Sequence, residues 1–370
     1  MKSIFKLNPR LCNSGLAKKV LKDPSSSQPE HPANSPDGSR VIDLIEAFRR
    51  SKAMFAAVSL GVFDTVEREP TSAETIAAVL QLPCGPLERL LDACVSLKLL
   101  RRVGGLYVNQ PVASAYLCSS SERALVGYIL YSNDVLFPLW NHLEDAVREG
   151  TPRWEQEFGT ESAIFDHFFR TPEARTTFLR GMHGLGLLSS PKVVAAFDLS
   201  GFHRMVDLGG ATGHLAIAAC ERYPELRAVV FDLPVVIETT RGYVSNSGPG
   251  SQRITVMSGD FFRDPLPGAD LIAVGRVLHD WSDAKVRQLL AKVFGCLSSG
   301  GAILIAEKLV DEDKTGPASA LLQSLNMLVC TEGGERTLSE YRQLLEEAGF
   351  KKVEGQVTGA YLDAVIARKP

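Results

Sequence analysis

The chain has 370 residues, of which 45% are hydrophobic and 22% charged, with a net charge of −3. At ~150 residues per domain this length suits two domains, and the balance excludes wholesale disorder. No run approaches the ~20 apolar residues that a membrane span needs. The near-neutral charge also excludes a chain that binds nucleic acid through bulk positive charge. Seven widely spaced cysteines form no C-x-x-C pair, which argues against a disulfide framework or zinc site. They point to a reducing, cytoplasmic setting.

Residues 1–40 stand apart, with seven bases against three acids and no acid before Asp23. Pro24, Pro29, Pro32 and Pro36 with Ser25–Ser27 follow. One reading is a disordered, solvated basic tail, because such composition cannot bury a core. The other is an organelle transit peptide within residues 1–22, which the single early arginine, Arg10, disfavours.

Residues 41–120 carry the pattern of a winged-helix dimerisation domain. Ile42, Ile45, Phe48 and Phe55 recur at helical spacing, and Met54–Val58 is apolar nearly all round, as in a buried or dimer-facing helix. Thr71-Ser-Ala-Glu74 reads as a capping box opening a short helix. A break at Pro83–Pro86 leads to a second helix bearing Leu87, Leu90, Leu91, Cys94 and Val95. Leu100–Val108 then reads as a hairpin turning at Gly104-Gly105. A groove-reading module wants a basic excess, yet residues 67–109 hold five bases and five acids. Packing and dimerisation therefore outweigh DNA binding.

Residues 121–198 read as a helical linker and substrate-pocket region. They are rich in rings (Tyr128, Phe137, Trp140, Trp154, Phe165, Phe168, Phe169, Phe178) that sequence cannot sort between core and pocket. From residue 199 to 370, short apolar runs alternate with helical stretches. That alternation predicts an α/β, Rossmann-like domain with a mixed seven-stranded sheet, parallel except for an antiparallel closing pair.

Asp207-Leu-Gly-Gly-Ala-Thr-Gly213 joins a strand to a helix, where such folds bind nucleotides. Aligned from Gly209, a dinucleotide fingerprint would need glycine at Ala211 and His214. Asp207 would repel a pyrophosphate but welcome a cationic amino group, which favours S-adenosylmethionine over NAD. Asp232 ends the next strand, placed to accept ribose hydroxyls. Gly259-Asp260-Phe261 ends the third, with Asp260 for an adenine amino group and Phe261 for its ring. Three acids at successive strand ends are the stronger signal; a glycine turn alone is weak.

Val206-Asp-Leu-Gly-Gly, Phe231-Asp-Leu-Pro, Gly259-Asp-Phe-Phe, Leu278-His-Asp-Trp-Ser282, Ser324-Leu-Asn-Met-Leu-Val329 and Thr331-Glu-Gly-Gly-Glu-Arg-Thr337 together resemble the plant-type, cation-independent O-methyltransferases. The acetylserotonin-type (hydroxyindole) branch is the more similar, and the resemblance runs from about residue 40 to the C-terminus. It implies a homodimer that uses S-adenosylmethionine, needs no metal, and methylates a phenolic or hydroxyindole hydroxyl of a small aromatic molecule. It also implies His279 as general base, with Glu307 and Glu335 as flanking carboxylates. Arg276 and Trp154 resemble cofactor-contacting positions, and Asp280 a substrate-contacting one. Asn326 and Cys330, four apart on one helix face, correspond to substrate-facing positions. The family often holds glutamine where this chain has Cys330, so an amide donor and acceptor is missing there.

A phenol of pKa ~10 is a poor nucleophile at neutral pH, which is why an imidazole of pKa ~6.5 suits the task. His31, His142, His167, His183, His203 and His214 lack the context of His279. Three classes compete for this pattern: an O-methyltransferase, a DNA-binding sensor of S-adenosylmethionine, and a nicotinamide dehydrogenase. His279 with Glu307 and Glu335 favours the first. The neutral wing disfavours the second, and Asp207 with the broken fingerprint disfavours the third.

Overall fold

The computed structural model describes residues 37–159, 169 and 171–370. Most of the 1–40 tail, the transit-peptide segment, His31, Phe165, His167 and Phe168 lie outside the described residues. The chain divides into two units between Ala47 and Phe48, inside helix α1 (Ser39–Ser59). Only residues 37–47 of the first unit are described, and they enter α1 at Ser39.

In the second unit, α2 (Val62–Arg68), α3 (Ala73–Leu80) and α4 (Cys84–Ser96) pack with a two-stranded hairpin around one apolar cluster. Phe63, Ile76, Leu91 and Tyr107 are fully buried there. The cap of α3 is Ser72, which accepts from Thr75 N, rather than the expected Thr71. Thr71 is instead paired to Tyr107 by backbone hydrogen bonds in both directions, extending the hairpin. Pro86 does not break α4, because it falls in the first turn, where no intrahelical N–H is needed. Strands β1 (Leu100–Val103) and β2 (Leu106–Asn109) meet at Gly104 and Gly105, both at positive φ, as a two-residue hairpin turn requires.

Short helices follow: α5 (Pro111–Tyr116), then α6 (Val126–Tyr131), which passes through one π-helical turn, Ser132–Leu136, into α7 (Phe137–Trp140). After α8 (Leu143–Glu149) and α9 (Trp154–Phe158), α10 (Pro172–Ala195) leads to the sheet.

The sheet has seven strands in the order β5-β4-β3-β6-β7-β9-β8. Strands β3 (Arg204–Leu208), β4 (Arg227–Asp232), β5 (Ile254–Ser258), β6 (Ala269–Gly275) and β7 (Leu297–Glu307) pair in parallel. Strands β8 (Lys351–Gln356) and β9 (Asp363–Arg368) close it antiparallel, as the short connection through Gly359 dictates. Strand β7 is longer than the apolar run Ala302–Ala306: it starts at Leu297, paired to Ala269 ahead of a register shift.

Helices cover both faces. Along β7, Ala302, Leu304 and Ala306 face one core with α10 and α11 (His214–Arg222). Ile303 and Ile305 face the other, with α13 (Asp283–Cys296) and α15 (Leu338–Glu347). The remaining helices, α12 (Pro234–Ser245) and α14 (Ala318–Cys330), follow β4 and β7. Chain order runs outward in opposite directions from the β3/β6 pair, so the carboxyl ends of those strands flank a crevice.

Leu304 is wholly buried in the strand that joins the parallel and antiparallel parts of the sheet. Leu304→Ala is expected to cost about 2–5 kcal/mol of stability through lost burial and a residual cavity. Urea unfolding followed by far-UV dichroism measures it; a loss under about 1 kcal/mol would show that this layer collapses around the cavity.

Candidate active site

The crevice opens into a cavity of about 840 Å³, lined by residues from the ends of β3, β4, β5 and β6 and by α6, α10 and α14. Asp207, Gly209, Asp232, Asp260, Phe261, Arg276, His279, Asp280, Asn326 and Cys330 all line it. Four expected site residues do not. Gly259 packs its backbone on Phe231, where a Cβ would lie 2.3 Å from the ring. Trp154 is buried and donates its indole N–H to the carbonyl of Cys330 at 2.7 Å, bracing α14. Glu307 and Glu335 lie behind the histidine.

The glycine loop keeps one wall open. Gly209 has φ +67°, and a Cβ there would meet Val277 at 2.8 Å. Asp207 is buried and accepts from Ala216 N in the first turn of α11 at 3.1 Å, so it also caps that helix. Asp232 accepts from Ala211 N at 2.8 Å and Leu233 N at 2.7 Å, one bond to each carboxylate oxygen. Burial pushes the Asp207 carboxyl up to about 7, against the bond from Ala216. It pushes Asp232 up to about 6, against its two backbone bonds. The bonds that offset burial come from backbone N–H groups rather than a cationic side chain. Two buried carboxylates so placed make a seat for a ligand bringing hydroxyls and positive charge. Asp260 is more exposed, with Phe262 N on one oxygen and Arg263 3.4 Å from the other.

His279 sits on a single 3₁₀ turn, Leu278–Asp280, just beyond β6. Arg276 turns the chain there at φ +55°, outside the comfortable range of a non-glycine residue. The turn is held from below by Glu307, the last residue of β7. Its Oε1 accepts from Val277 N at 3.1 Å, Leu278 N at 2.7 Å and His279 N at 3.2 Å. Its Oε2 accepts from the Tyr341 hydroxyl. Glu307 therefore grips the backbone that carries the imidazole, whereas the ring itself is bonded to Glu335.

The Nδ1 of His279 lies 2.6 Å from Glu335 Oε1, and Nε2 is 3.7 Å from Asp280 Oδ1. Donating Nδ1–H to the carboxylate leaves Nε2 for proton exchange. Burial opposes charge on this ring, but Glu335 first, then Asp280, outweigh it and hold the imidazole up at about 9. Asp280 is itself pushed by burial up to about 6, with His279 and Arg276 restraining it. The His279, Glu307 and Glu335 ligand atoms lie within 4.8 Å of one another, a spacing that a metal could use. Glu307 spends both oxygens on four protein donors and Nδ1 is bonded to Glu335, so the arrangement suits proton handling rather than a cation.

The structure sorts the aromatic residues. Tyr128, Tyr131, Phe169 and Phe178 line the cavity, while Trp140 supports it by donating to Asn326 Oδ1 at 2.8 Å. Cys330 is buried, 3.9 Å from the same Oδ1, and burial pushes its thiol far up. Sequence reasoning missed His214, which lines the cavity with Nδ1 2.8 Å from Ser190 Oγ. Its place directly after the glycine loop was the available signal. Burial drives it down to about 3, so it is a neutral wall group.

Two domain families match the chain: the O-methyltransferase domain over residues 140–351 and the O-methyltransferase dimerisation domain over residues 42–119. Acetylserotonin O-methyltransferase of Bos taurus is 44% identical over 334 residues, 88% of this chain and 96% of that protein. A probable bifunctional dTTP/UTP pyrophosphatase/methyltransferase protein of Homo sapiens is 42% identical over 337 residues, 90% of this chain. The chain spans only 54% of that relative's length. Among solved structures, human N-acetylserotonin methyltransferase in complex with SAM superposes with a TM-score of 0.86 at 38% identity. The match covers 92% of this chain and 99% of that one.

Because Glu335 supplies the largest charge effect raising the imidazole, Glu335→Gln is expected to lower the His279 pKa from about 9 toward the ordinary histidine range. Histidine-selective NMR titration reads it directly. An unshifted pKa in a folded variant would assign the perturbation to Asp280 instead.

Proposed function

The chain belongs to the O-methyltransferase family, and we propose that it methylates the hydroxyl of a small phenol or hydroxyindole from S-adenosylmethionine, with His279 as general base. The carrying observation is that His279 lines the same cavity as Asp207, Asp232 and Asp260, its Nδ1 tied back to Glu335. The relatives named for acetylserotonin support a hydroxyindole-like acceptor, and the dimerisation match supports a homodimer.

When bound, S-adenosylmethionine supplies a methyl group on a positively charged sulfur with a neutral leaving group. Asp232 would accept the ribose hydroxyls, Asp260 the adenine amino group, and Asp207 would face the cationic amino-acid tail. Phe261 would pack on the adenine and Gly209 would let it approach the loop. Gly259 leaves room for the Phe231 ring and donates its N–H to the Asp232 carbonyl at 2.9 Å, which would steady the ribose-binding acid. Arg276 lines the same cavity, and Trp154 contributes by holding α14.

On the acceptor side, Tyr131, Phe169 and Phe178 offer ring surfaces, with Asn326 and Cys330 on the α14 wall. Trp140 engages the Asn326 oxygen, so the amide presents its NH2 to an acceptor atom of the substrate. The acceptor hydroxyl gives its proton to Nε2 of neutral His279 as its oxygen takes the methyl, leaving an ether and an imidazolium. Glu335 and Asp280 stabilise that imidazolium, as a carboxylate stabilises the histidine of a catalytic triad.

His279→Ala is expected to keep S-adenosylmethionine affinity while kcat falls by ~10²–10⁴, the usual worth of a positioned base. Since the neutral ring is the base, wild-type kcat/KM should climb with pH toward about 9. At saturating cofactor the kcat limb should lie lower, because a nearby positive charge disfavours the imidazolium. A labelled-methyl assay across phenols and hydroxyindoles checks this; an alanine variant near wild-type rate places the base elsewhere.

Asp232→Ala is expected to weaken S-adenosylmethionine by ~2 kcal/mol or more, through lost charge-assisted hydrogen bonds. Both carboxylates are needed ionised, and burial raises Asp207 to about 7 and Asp232 to about 6. Affinity should therefore rise with pH through that window, with proton release on binding. Calorimetry in buffers of different ionisation enthalpy reads both, and pH-independent affinity would remove these acids from the cofactor site.

A further inference from the structure

We infer that Arg336 is a positioning residue for His279, setting the catalytic turn by its carbonyl groups as Glu307 sets it by its N–H groups. This rests on the methyl-transfer reading above. Arg336 is 7% exposed and does not line the active-site cavity. Its Nη1 donates to Leu278 O and its Nη2 to Trp281 O, each at 3.0 Å. The two carbonyls bracket His279 and Asp280. Nε and Nη2 also reach Asp283 Oδ1, at 3.2 and 2.9 Å, which fixes the guanidinium at the start of α13.

The two grips are joined. The guanidinium carbon lies 5.9 Å from the centre of the Tyr341 ring, and the Tyr341 hydroxyl donates to Glu307. The residues just before Arg336 close on the same turn. Glu332 N donates to Asp280 O at 3.3 Å, and a Cβ on Gly333 would lie 2.3 Å from His279 O. Glu335, the immediate neighbour of Arg336, carries the oxygen bonded to Nδ1. Displacing Arg336 therefore moves the imidazole and its carboxylate partner together.

A planar fork of donors suits two carbonyls and a carboxylate at once; a lysine ammonium is a single point on a flexible stem. Transfer to an acceptor oxygen needs alignment, and a displacement of ~1 Å can cost on the order of 10²-fold in rate. Arg336 is not among the residues that line the cavity with Asp207, Asp232 and Asp260, so the loss should fall on kcat.

The experiment uses the full chain as wild type, Arg336→Ala and Arg336→Lys. It measures kcat, KM for an acceptor that wild type methylates, and S-adenosylmethionine affinity by calorimetry. Both variants should bind S-adenosylmethionine like wild type, with kcat down on the order of 10²-fold in Arg336→Ala. Millimolar guanidinium should restore part of the kcat of Arg336→Ala and leave wild type unchanged, and Arg336→Lys should remain impaired. The inference is overturned if Arg336→Ala turns over like wild type, if its losses track S-adenosylmethionine affinity, or if guanidinium has no effect. Should Arg336→Ala fail to fold, Arg336→Lys decides: normal S-adenosylmethionine affinity with reduced kcat supports the role, and wild-type kcat overturns it. Wild-type protein that neither binds S-adenosylmethionine nor methylates any phenol or hydroxyindole would strike the functional reading itself.

Discussion

One carboxylate, that of Glu307, sets the geometry on which the rest depends. It leaves the end of β7 and takes three successive N–H groups of the turn that follows β6. A turn this short cannot satisfy those donors itself, and buried without partners they would cost ~1–3 kcal/mol each. The carboxylate is affordable there because Tyr341 satisfies its other oxygen. Strand pairing of β6 with β7 brings acid and turn together, so the register of the sheet becomes the position of His279.

The cavity concentrates buried charge beside that turn. Asp207, Asp232, His279 and Asp280 all have ionisation shifted by burial or by each other. Such clustering is expected where a site is preorganised for chemistry rather than for stability. Burial alone would leave His279 neutral; Glu335 and Asp280 reverse that and give a ring that holds a proton firmly. A positive charge brought near such a ring favours its neutral form.

The aromatic residues of the helical region divide the labour. Tyr131, Phe169 and Phe178 give the cavity apolar surface, while Trp140 and Trp154 use their indole N–H groups to fix α14 from behind. The π-helical turn Ser132–Leu136 joins α6 to α7 and places Leu136 in the cavity wall. The cavity wall is thus built from elements far apart in sequence, with Cys330 a small, buried part of it.

Periodicity and local chemistry were legible from the residues alone. Alternating apolar runs determined the parallel strands, and two adjacent glycines determined the hairpin, because these are local backbone constraints. The strand-end acids were legible too, since parallel strands carry their carboxyl ends to one edge. Tertiary structure decided what depends on pairing between distant segments. It gave Glu307 the backbone and Glu335 the imidazole, 28 and 56 residues from His279, respectively. It made Trp154 a brace beneath α14, put His214 into the cavity wall, and set Arg336 across the carbonyls of the turn that carries His279. Sequence spacing fixes which face of its own element a residue occupies; which neighbour that face meets is set by packing across the sheet.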